Sequence, residues 1–509
     1  MLALNPLTGQ PQRLHDLLAM QREARPNAPA LLGDDDYTFA ELASKVETMA
    51  MWLANRYLPG ERIAVLAWNS HHYLILIYAC SAAGLVLVPL NTRLAVAEWR
   101  YQLQSTRPRA IVFGEEFEEQ CIELANRVGA DRLALSSILD CVSSSDMRRL
   151  PETQTDDPVW ILHTSGSTAK PKGAVLTQQS FLAGLDSAVQ GRPVLDGDVY
   201  LYPFPLFHVS AHNVFLQHRH GAAVWLLPGF DADRVLSLCE QGLVSTLSLA
   251  PTMIAMLLDH PNYAPEKLQG VRAIGYGASA MPLPLMQSLL STLDIELSQS
   301  YGMTELSGSI SFLTPEDHRA GLTDPSIMRS VGRPVTGVEV TVRNDQGDVL
   351  PPGSMGEVCV KAAQCMQGYW DRLEDTERAI GAGFLRTGDL GVFDNRGYLT
   401  LVDRKKDMII SGGENVASRE VEDILAAHGA VKQVAVVGLP HERWGEIVCA
   451  CLVLSEAVEA EALDAFCRAQ LAAFKCPKRY VTLESLPLNA SGKIDKPALR
   501  LALLDQPCN

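Results

Sequence analysis

Positive charge is in short supply in this sequence. Lys and Arg number 43 against 59 Asp and Glu, a net charge of −16, whereas a nucleic acid or an anionic membrane needs a basic face to meet it. Neither is expected as a partner, and any anion site must be locally basic. Ordered cysteine spacing is missing too: the eleven Cys stand singly, with Cys449-x-Cys451 the closest pair, which gives no zinc spacing and no disulfide framework and fits a reducing cytoplasm. The first residues, Met1-Leu-Ala-Leu-Asn-Pro6, lack the basic start and sustained apolar core of a secretory signal. No internal repeat or low-complexity tract is visible. Long apolar runs are nearly absent: Tyr73 to Leu90 is uncharged, but Gly84 splits it into a helix-like half and a strand-like half. A buried helix followed by a buried strand is expected there, not a transmembrane segment. Aromatics are only 6% against 47% hydrophobic residues, so 509 residues make a large, mostly aliphatic core spread over two or three domains.

What is present reads first as α/β. Thr38-x-x-Glu41 is a capping box, and Phe39, Leu42, Val46, Met49 and Leu53 recur at helical spacing, which predicts a helix to about Tyr57 before Pro59-Gly60 stops it. Strand-like Ile63–Ala67 and the split Tyr73–Leu90 run continue a β-α-β rhythm, hence a parallel sheet covered by helices. From Val331 to Val402 the chain turns β-rich, with strand pairs flanking the turns Asn344–Gly347 and Asp394–Gly397. The charged Val402-Asp-Arg-Lys-Lys-Asp407 then separates this part from a further α/β segment and reads as a linker.

The stretch that carries chemistry first is His163-Thr-Ser-Gly-Ser-Thr-Ala-Lys-Pro-Lys-Gly173, directly after the apolar Pro158–Leu162. Hydroxyls, glycines and lysines after a buried strand make a cradle for a polyphosphate. The Walker pattern fails, since no Ser or Thr follows Lys172. At this loop the chain resembles the adenylate-forming superfamily, in particular its acyl-CoA synthetases. Only the loop's inner Gly departs, replaced by Ala169, which narrows the loop's conformational range. Ser300-Tyr-Gly-Met-Thr-Glu305 matches a second family motif and Arg386-Thr-Gly-Asp389 a third, and Ser491-Gly-Lys493-Ile matches the motif of the adenylating lysine.

The resemblance covers nearly the whole chain and implies a fold and a site. The fold is a large N-terminal domain, 1–402, of two α/β subdomains plus a β-rich subdomain at about 331–402, then a hinge at 403–406 and a small mobile α+β domain, 407–509. The implied cofactors are ATP, Mg²⁺ and coenzyme A. Thr164, Ser165, Gly166, Ser167, Thr168 and Lys172 would hold phosphate. Gly277, Ala278 and Ser279 would form the adenine turn, with Tyr301 stacked on the base and Gly302 allowing close approach. Thr304 would meet the α-phosphate, Glu305 would carry Mg²⁺, Asp389 would take the ribose, and Arg404 would meet ribose or phosphate. Lys406 would be the pivot. Gly412 and Gly413 would line the pantetheine path, and Trp444 and Phe474 would contact CoA. Lys493 would join carboxylate to α-phosphate. His208, at the end of the Pro-rich Tyr202–Phe207 segment, goes with the catalytic set as a wall of the acyl pocket, not as acid or base. Two further departures accompany these: Ser418, expected as a helix N-cap where relatives commonly have Pro, and Cys476, where some have Arg.

The implied activity is that of an ATP-dependent carboxylate–CoA ligase. No early Asp in the 200s segment is placed to hold an α-amine, since Asp231 and Asp233 read as helix-start residues, so a fatty or other apolar acid is expected as the small-molecule partner. A homodimer is compatible with all of this. An acyl-AMP ligase loading a separate carrier protein is the first alternative. Gly275-Tyr-Gly277-x-x-Ala280 with Glu296 downstream seeds a second, an NAD-dependent oxidoreductase, against which Pro282 and Pro284 stand in the opening of the phosphate-binding helix. A nucleotide-sensing pseudoenzyme would be expected to have lost Lys493, Glu305 or Asp389.

Overall fold

Thr38 caps the helix Phe39–Ala54 with the reciprocal box its spacing predicts, the Thr38 side chain accepting from Glu41 N and Glu41 reaching back to Thr38 N. The computed structural model that places it describes residues 11–33, 35–139, 150–164, 170–277, 281–489 and 493–504. The chain is a mixed α/β protein whose contacts form two compact units, Met1–Glu339 with Lys361–Leu385, and Val340–Val360 with Arg386–Asn509.

The first unit holds two sheets. One runs Gly368–Tyr369, Lys172–Thr177, Pro158–Thr164, Val86–Pro89, Arg62–Leu66, Ala110–Phe113, Asp131–Ala134, parallel from Pro158–Thr164 onward and antiparallel at its Lys172 edge. The uncharged run resolves as expected into the helix His71–Ala82, with Tyr73 to Ala82 all buried, and the buried strand Val86–Pro89. A helix apolar on every side must be covered on every side. Among the described residues no helix is long and apolar enough to cross a membrane.

The other sheet runs Arg333–Pro334, Gly308–Leu313, Glu296–Met303, Ala273–Gly277, Thr246–Leu249, Val199–Tyr202, Ala223–Leu226, Pro29–Leu32, Tyr37–Thr38. Leu247, Leu249, Ile274, Tyr276 and Leu297 share one face and bury it against the helices Ala232–Glu240, Pro251–Leu258 and Leu283–Thr292. Asp231 caps the first of these helices, as expected, by accepting from Arg234 N. One buried polar pair between helix and sheet is fully satisfied: the His218 ring donates from Nε2 to the Ala30 carbonyl at 2.9 Å, which leaves Nδ1 to accept from the Tyr78 hydroxyl at 2.9 Å.

In the second unit, Leu399–Arg404 pairs antiparallel with Phe384–Phe393, and Arg343 bridges to Val349 across the Asn344 turn. The five-stranded sheet of the C-terminal segment runs Glu414–Val416, Ile409–Ser411, Gly445–Leu454, Val431–His441, with Arg479–Thr482 beside Gly445–Leu454. Alternation along Gly445–Leu454 sends Val448, Ala450 and Leu452 toward the helices Ser418–Ala426 and Ala460–Arg468, and Cys449 and Cys451 toward Lys496–Leu504. All nine cysteines among the described residues are free.

Candidate active site

The apolar strand Pro158–Thr164 delivers Thr164 to the sheet's carboxyl end, where parallel α/β sheets bind ligands. There the Thr164 hydroxyl donates to Glu305 Oε1 at 3.3 Å, and the Tyr369 hydroxyl donates to the same oxygen at 2.9 Å. Glu305 is buried in the short turn Thr304–Leu306, and its own carbonyl accepts from Met366 N. Burial, reinforced by the Glu305 charge, pushes the Tyr369 phenol well above its ordinary pKa, so it stays a donor. Lys172 opens the neighbouring strand with its ammonium 2.8 Å from Asp375 and 5.2 Å over the Tyr369 ring, and its hydrogen bond holds the Asp375 carboxyl below the usual range. Sequence reasoning assigned Lys172 to phosphate. In the structure its charge is met by Asp375, and it braces the tyrosine that holds Glu305.

Gly277 and Gly302 are required by their strands. A Cβ on Gly277 would sit 2.8 Å from the Ser300 carbonyl, and one on Gly302 would sit 1.9 Å from the Gly308 carbonyl, at the bulge after Tyr301. Tyr301 is buried and Thr304 is half-buried. His208 precedes the turn Val209–Ala211, half-buried, with its ring 4.7 Å from that of Phe207. Ser165, Gly166, Ser167, Thr168, Ala169, Ala278 and Ser279 lie outside the described residues. Glu296 is no ribose acid: it opens the strand Glu296–Met303, at the end away from the ligand edge, and pairs with Arg272 at 2.9 Å.

In the second unit, Asp389 stands opposite Arg404 in the strand pair, and the guanidinium holds its carboxylate at 2.6 Å. Together they present an acceptor and a cation side by side. Lys406 is exposed in the turn that follows. Gly412 and Gly413 form the two-residue loop between Ile409–Ser411 and Glu414–Val416, at φ +64° and +86°, the sign a tight hairpin needs at both positions. Gly412 N donates to the Trp444 carbonyl, and a Cβ on Gly412 would meet the indole at 2.9 Å. The Lys478 ammonium lies 3.5 Å over the Trp444 ring, with Arg443 at 5.1 Å, and Phe474 is part-exposed beside Lys475. Cys476 is in the core with its thiol on the Ala472 carbonyl, so it offers nothing to a phosphate; of its neighbours, Lys475 pairs with Glu420 at 2.7 Å and Lys478 lies over Trp444.

The Lys493 loop is closed from behind. Leu488 bridges to Ile494, Asn489 N donates to the Lys493 carbonyl, and Lys493 N donates to Asn489 Oδ1 at 3.0 Å. Ser418 departs from its expected role, because the N-cap is Ala417 and Ser418 is the first helical residue. Its N–H and hydroxyl both donate to the buried Asp403 carboxylate, which caps the helix from another strand. Lys496 donates to Ser418 Oγ at 2.6 Å and pairs with Glu422 at 2.7 Å.

Residues 18–370 match the AMP-binding enzyme family, and residues 420–493 match the AMP-binding enzyme C-terminal domain. The chain belongs to the AMP-binding enzyme family. This AMP-binding enzyme is 33% identical over 96% of each chain to the fatty acid–acyl-carrier-protein ligase of Streptomyces coeruleorubidus. It is also 33% identical to the 2-succinylbenzoate–CoA ligase of Bacillus subtilis, over 96% of this chain and 97% of that one. The Bacillus subtilis o-succinylbenzoate CoA synthetase solved with its acyl-adenylate superposes at a TM-score of 0.87 with 32% identity, covering 97% of this chain and 99% of that one. ATP-bound MatB from Rhodopseudomonas palustris superposes at 0.90 with 27% identity over 97% and 99%.

Within this AMP-binding enzyme, Tyr369 and Asp375 are the site residues that motif reading missed. Gly368–Tyr369 is a two-residue strand whose only signal is its pairing with Ala174 and Val175. Glu305 fits a Mg²⁺ ion: it is a buried carboxylate held by two neutral hydroxyls, with no cation paired to it among the described residues. Removing the phenol hydroxyl takes away one hydrogen bond to a charged acceptor, about 1.5–3 kcal/mol. Tyr369→Phe is therefore expected to raise KM for Mg-ATP by about tenfold or more while leaving the acid's KM in place. Steady-state kinetics at varied ATP checks this, and an unchanged KM would mean that Thr164 alone suffices.

Proposed function

We propose that this chain is an ATP-dependent carboxylate–CoA ligase of the AMP-forming type. A carboxylate oxygen attacks the α-phosphorus of ATP, the bond to pyrophosphate breaks, and acyl-AMP forms. The CoA sulfur then attacks the acyl carbonyl, the carbon–oxygen bond to AMP breaks, and the thiol proton is lost. The observation that supports this most is the paired set on two motifs: buried Glu305 between Thr164 and Tyr369, and Asp389 beside Arg404. Bound at Glu305, Mg²⁺ would neutralise phosphate charge.

In this reading Thr164 and the loop after it take phosphate, and Gly277 and Tyr301 take adenine. Asp389 and Arg404 take ribose, Thr304 takes the α-phosphate, and His208 walls the acyl group. Lys493 lies between two anions that must meet, where a compact point charge lowers their repulsion. Residues 407–509 form a body that turns about 403–406, with Lys406 as pivot, to bring Gly412 and Gly413 into line for the thiol. CoA is favoured over a carrier protein because Lys478 and Arg443 flank the exposed Trp444 ring, an arrangement suited to a flat base with phosphates. Free cysteines throughout the described residues agree with the cytoplasm.

The test is product analysis. ATP should go to AMP and pyrophosphate only when an acid is present, and thioester should follow with CoA. ADP as product would overturn the reading, and thioester on a phosphopantetheine carrier but not on CoA would move the acceptor to a carrier.

A further inference from the structure

Arg192 ends the helix Gln178–Gly191, its N–H donating to the Ala188 carbonyl. Its side chain lies on the face of the nine-stranded sheet opposite the apolar core, where cross-strand register sets Ser248 and Ser298 beside Gly275 and Ser300 beside Gly277. Gly275 makes the room, since a Cβ there would stand 2.6 Å from Arg192 Cζ and 2.7 Å from Nε. Nη2 donates to the Tyr276 carbonyl at 3.0 Å and Ser300 Oγ at 3.1 Å, and Nη1 to Asn213 Oδ1 and Ser248 Oγ, both at 3.3 Å. One planar group therefore ties the strands Thr246–Leu249, Ala273–Gly277 and Glu296–Met303 to one another and to the helix His212–Arg219.

Two of these contacts fall one residue before the residues read as holding adenine, Tyr276 before Gly277 and Ser300 before Tyr301. The Ser300 hydroxyl that Arg192 holds is also packed against the first of them, because a Cβ on Gly277 would stand 2.8 Å from Ser300 Oγ. The partners of the guanidinium are all neutral, its Nε is buried with no acceptor among the described residues, and burial draws its pKa below the usual value. A buried ion without a counterion is costly, and an uncharged chain of like size, such as methionine, fills the same space without that penalty. What methionine lacks is the rigid fork, whose N–H groups fix several acceptors at set distances at once.

We propose that Arg192 is a positioning residue for the nucleotide: through the Tyr276 carbonyl and the Ser300 hydroxyl it sets the spacing of Gly277 and Tyr301, between which adenine is held, without touching the nucleotide itself. This rests on the ligase reading above, in which those two residues take the base. A binding surface works only when the residues behind it hold it to within about 0.5 Å, and Arg192 stands behind both sides of this one.

The experiment is calorimetric binding of ATP, AMP and magnesium pyrophosphate without acid, beside steady-state kinetics at varied acid. Arg192→Met should weaken ATP and AMP by about tenfold or more, the scale seen when a group that orients a ligand-binding side chain is removed. Pyrophosphate affinity and the acid's KM should stay within about twofold, since neither ligand uses the adenine side. Gly275→Ala should give the same pattern with the charge retained, because the added methyl displaces the guanidinium, and it carries the test if Arg192→Met does not fold. The double variant should be no worse than the weaker-binding single one, as two changes to one contact do not add. ATP affinity unchanged in both single variants would overturn the proposal. So would parallel weakening of ATP, pyrophosphate and acid, which marks general support of the fold, and so would losses that add in the double variant, which would mean that Gly275 acts apart from Arg192. A wild-type enzyme that binds no ATP would overturn the ligase reading, and this proposal with it.

Discussion

Lys493→Ala is expected to lose acyl-AMP formation by about 10²–10³-fold, the usual cost of removing one electrostatic contact from a charge-developing transition state. The substitution leaves its loop intact, because the bonds that close the loop use the Lys493 backbone: N–H to Asn489 Oδ1 and carbonyl from Asn489 N, behind the Leu488–Ile494 bridge. Supplied with synthetic acyl-AMP, the variant should form thioester at close to the wild-type rate, since the proposed mechanism gives the lysine no part in thiol attack. Single-turnover chemistry with labelled ATP reads the first step, and preformed acyl-AMP with CoA reads the second. Parallel loss of both would show that Lys493 serves one shared site.

Gly413→Leu is expected to do the opposite. The position is at φ +86°, and a Cβ there meets nothing within 4 Å, so the immediate surroundings accept a side chain and the backbone resists it by roughly 1–2 kcal/mol. That strain is small beside the expected effect of a leucine in the path proposed for the thiol, where misplacement of a reacting group costs on the order of 10²-fold. The variant should release pyrophosphate, accumulate acyl-AMP and make little thioester. Gly413→Asn separates the two causes, because Asn tolerates positive φ and is smaller. If Asn and Leu lose thioester formation equally, the hairpin geometry matters and the path does not.

The family and much of the fold were legible because the motifs are short contiguous strings. Thr304 and Glu305 sit in one turn, Gly412 and Gly413 in one hairpin, and the uncharged stretch from Tyr73 broke into helix and strand where Gly84, at φ +69°, said it would. What stayed hidden depends on partners far apart in the chain. Nothing near Lys172 announces Asp375, and nothing near Glu305 announces Tyr369, because a two-residue strand has no periodicity to read. No local signal marks Arg192, which follows the helix Gln178–Gly191 and packs where Gly275, on a distant strand, leaves room. Ser418 was misjudged for a related reason: a serine before Glu420 and Glu422 matches the local pattern of a cap, and only the arrival of Asp403 from another strand shows that it is itself capped.

That last contact constrains how this enzyme could be recombined with its relatives. The family resemblance invites a graft at residues 403–406, exchanging everything after the linker for the tail of a homologue. Many such tails would bring Pro at 418, which has no N–H and no hydroxyl. Asp403, kept from this chain and buried, would then face a helix start with two donors gone, a loss of about 1–3 kcal/mol or more for a charged acceptor. Lys496, which reaches the same serine from the far end of the segment, three residues beyond Lys493, would be exchanged with that tail. The workable crossover therefore lies upstream of Asp403, so that aspartate, serine and lysine are inherited as one set.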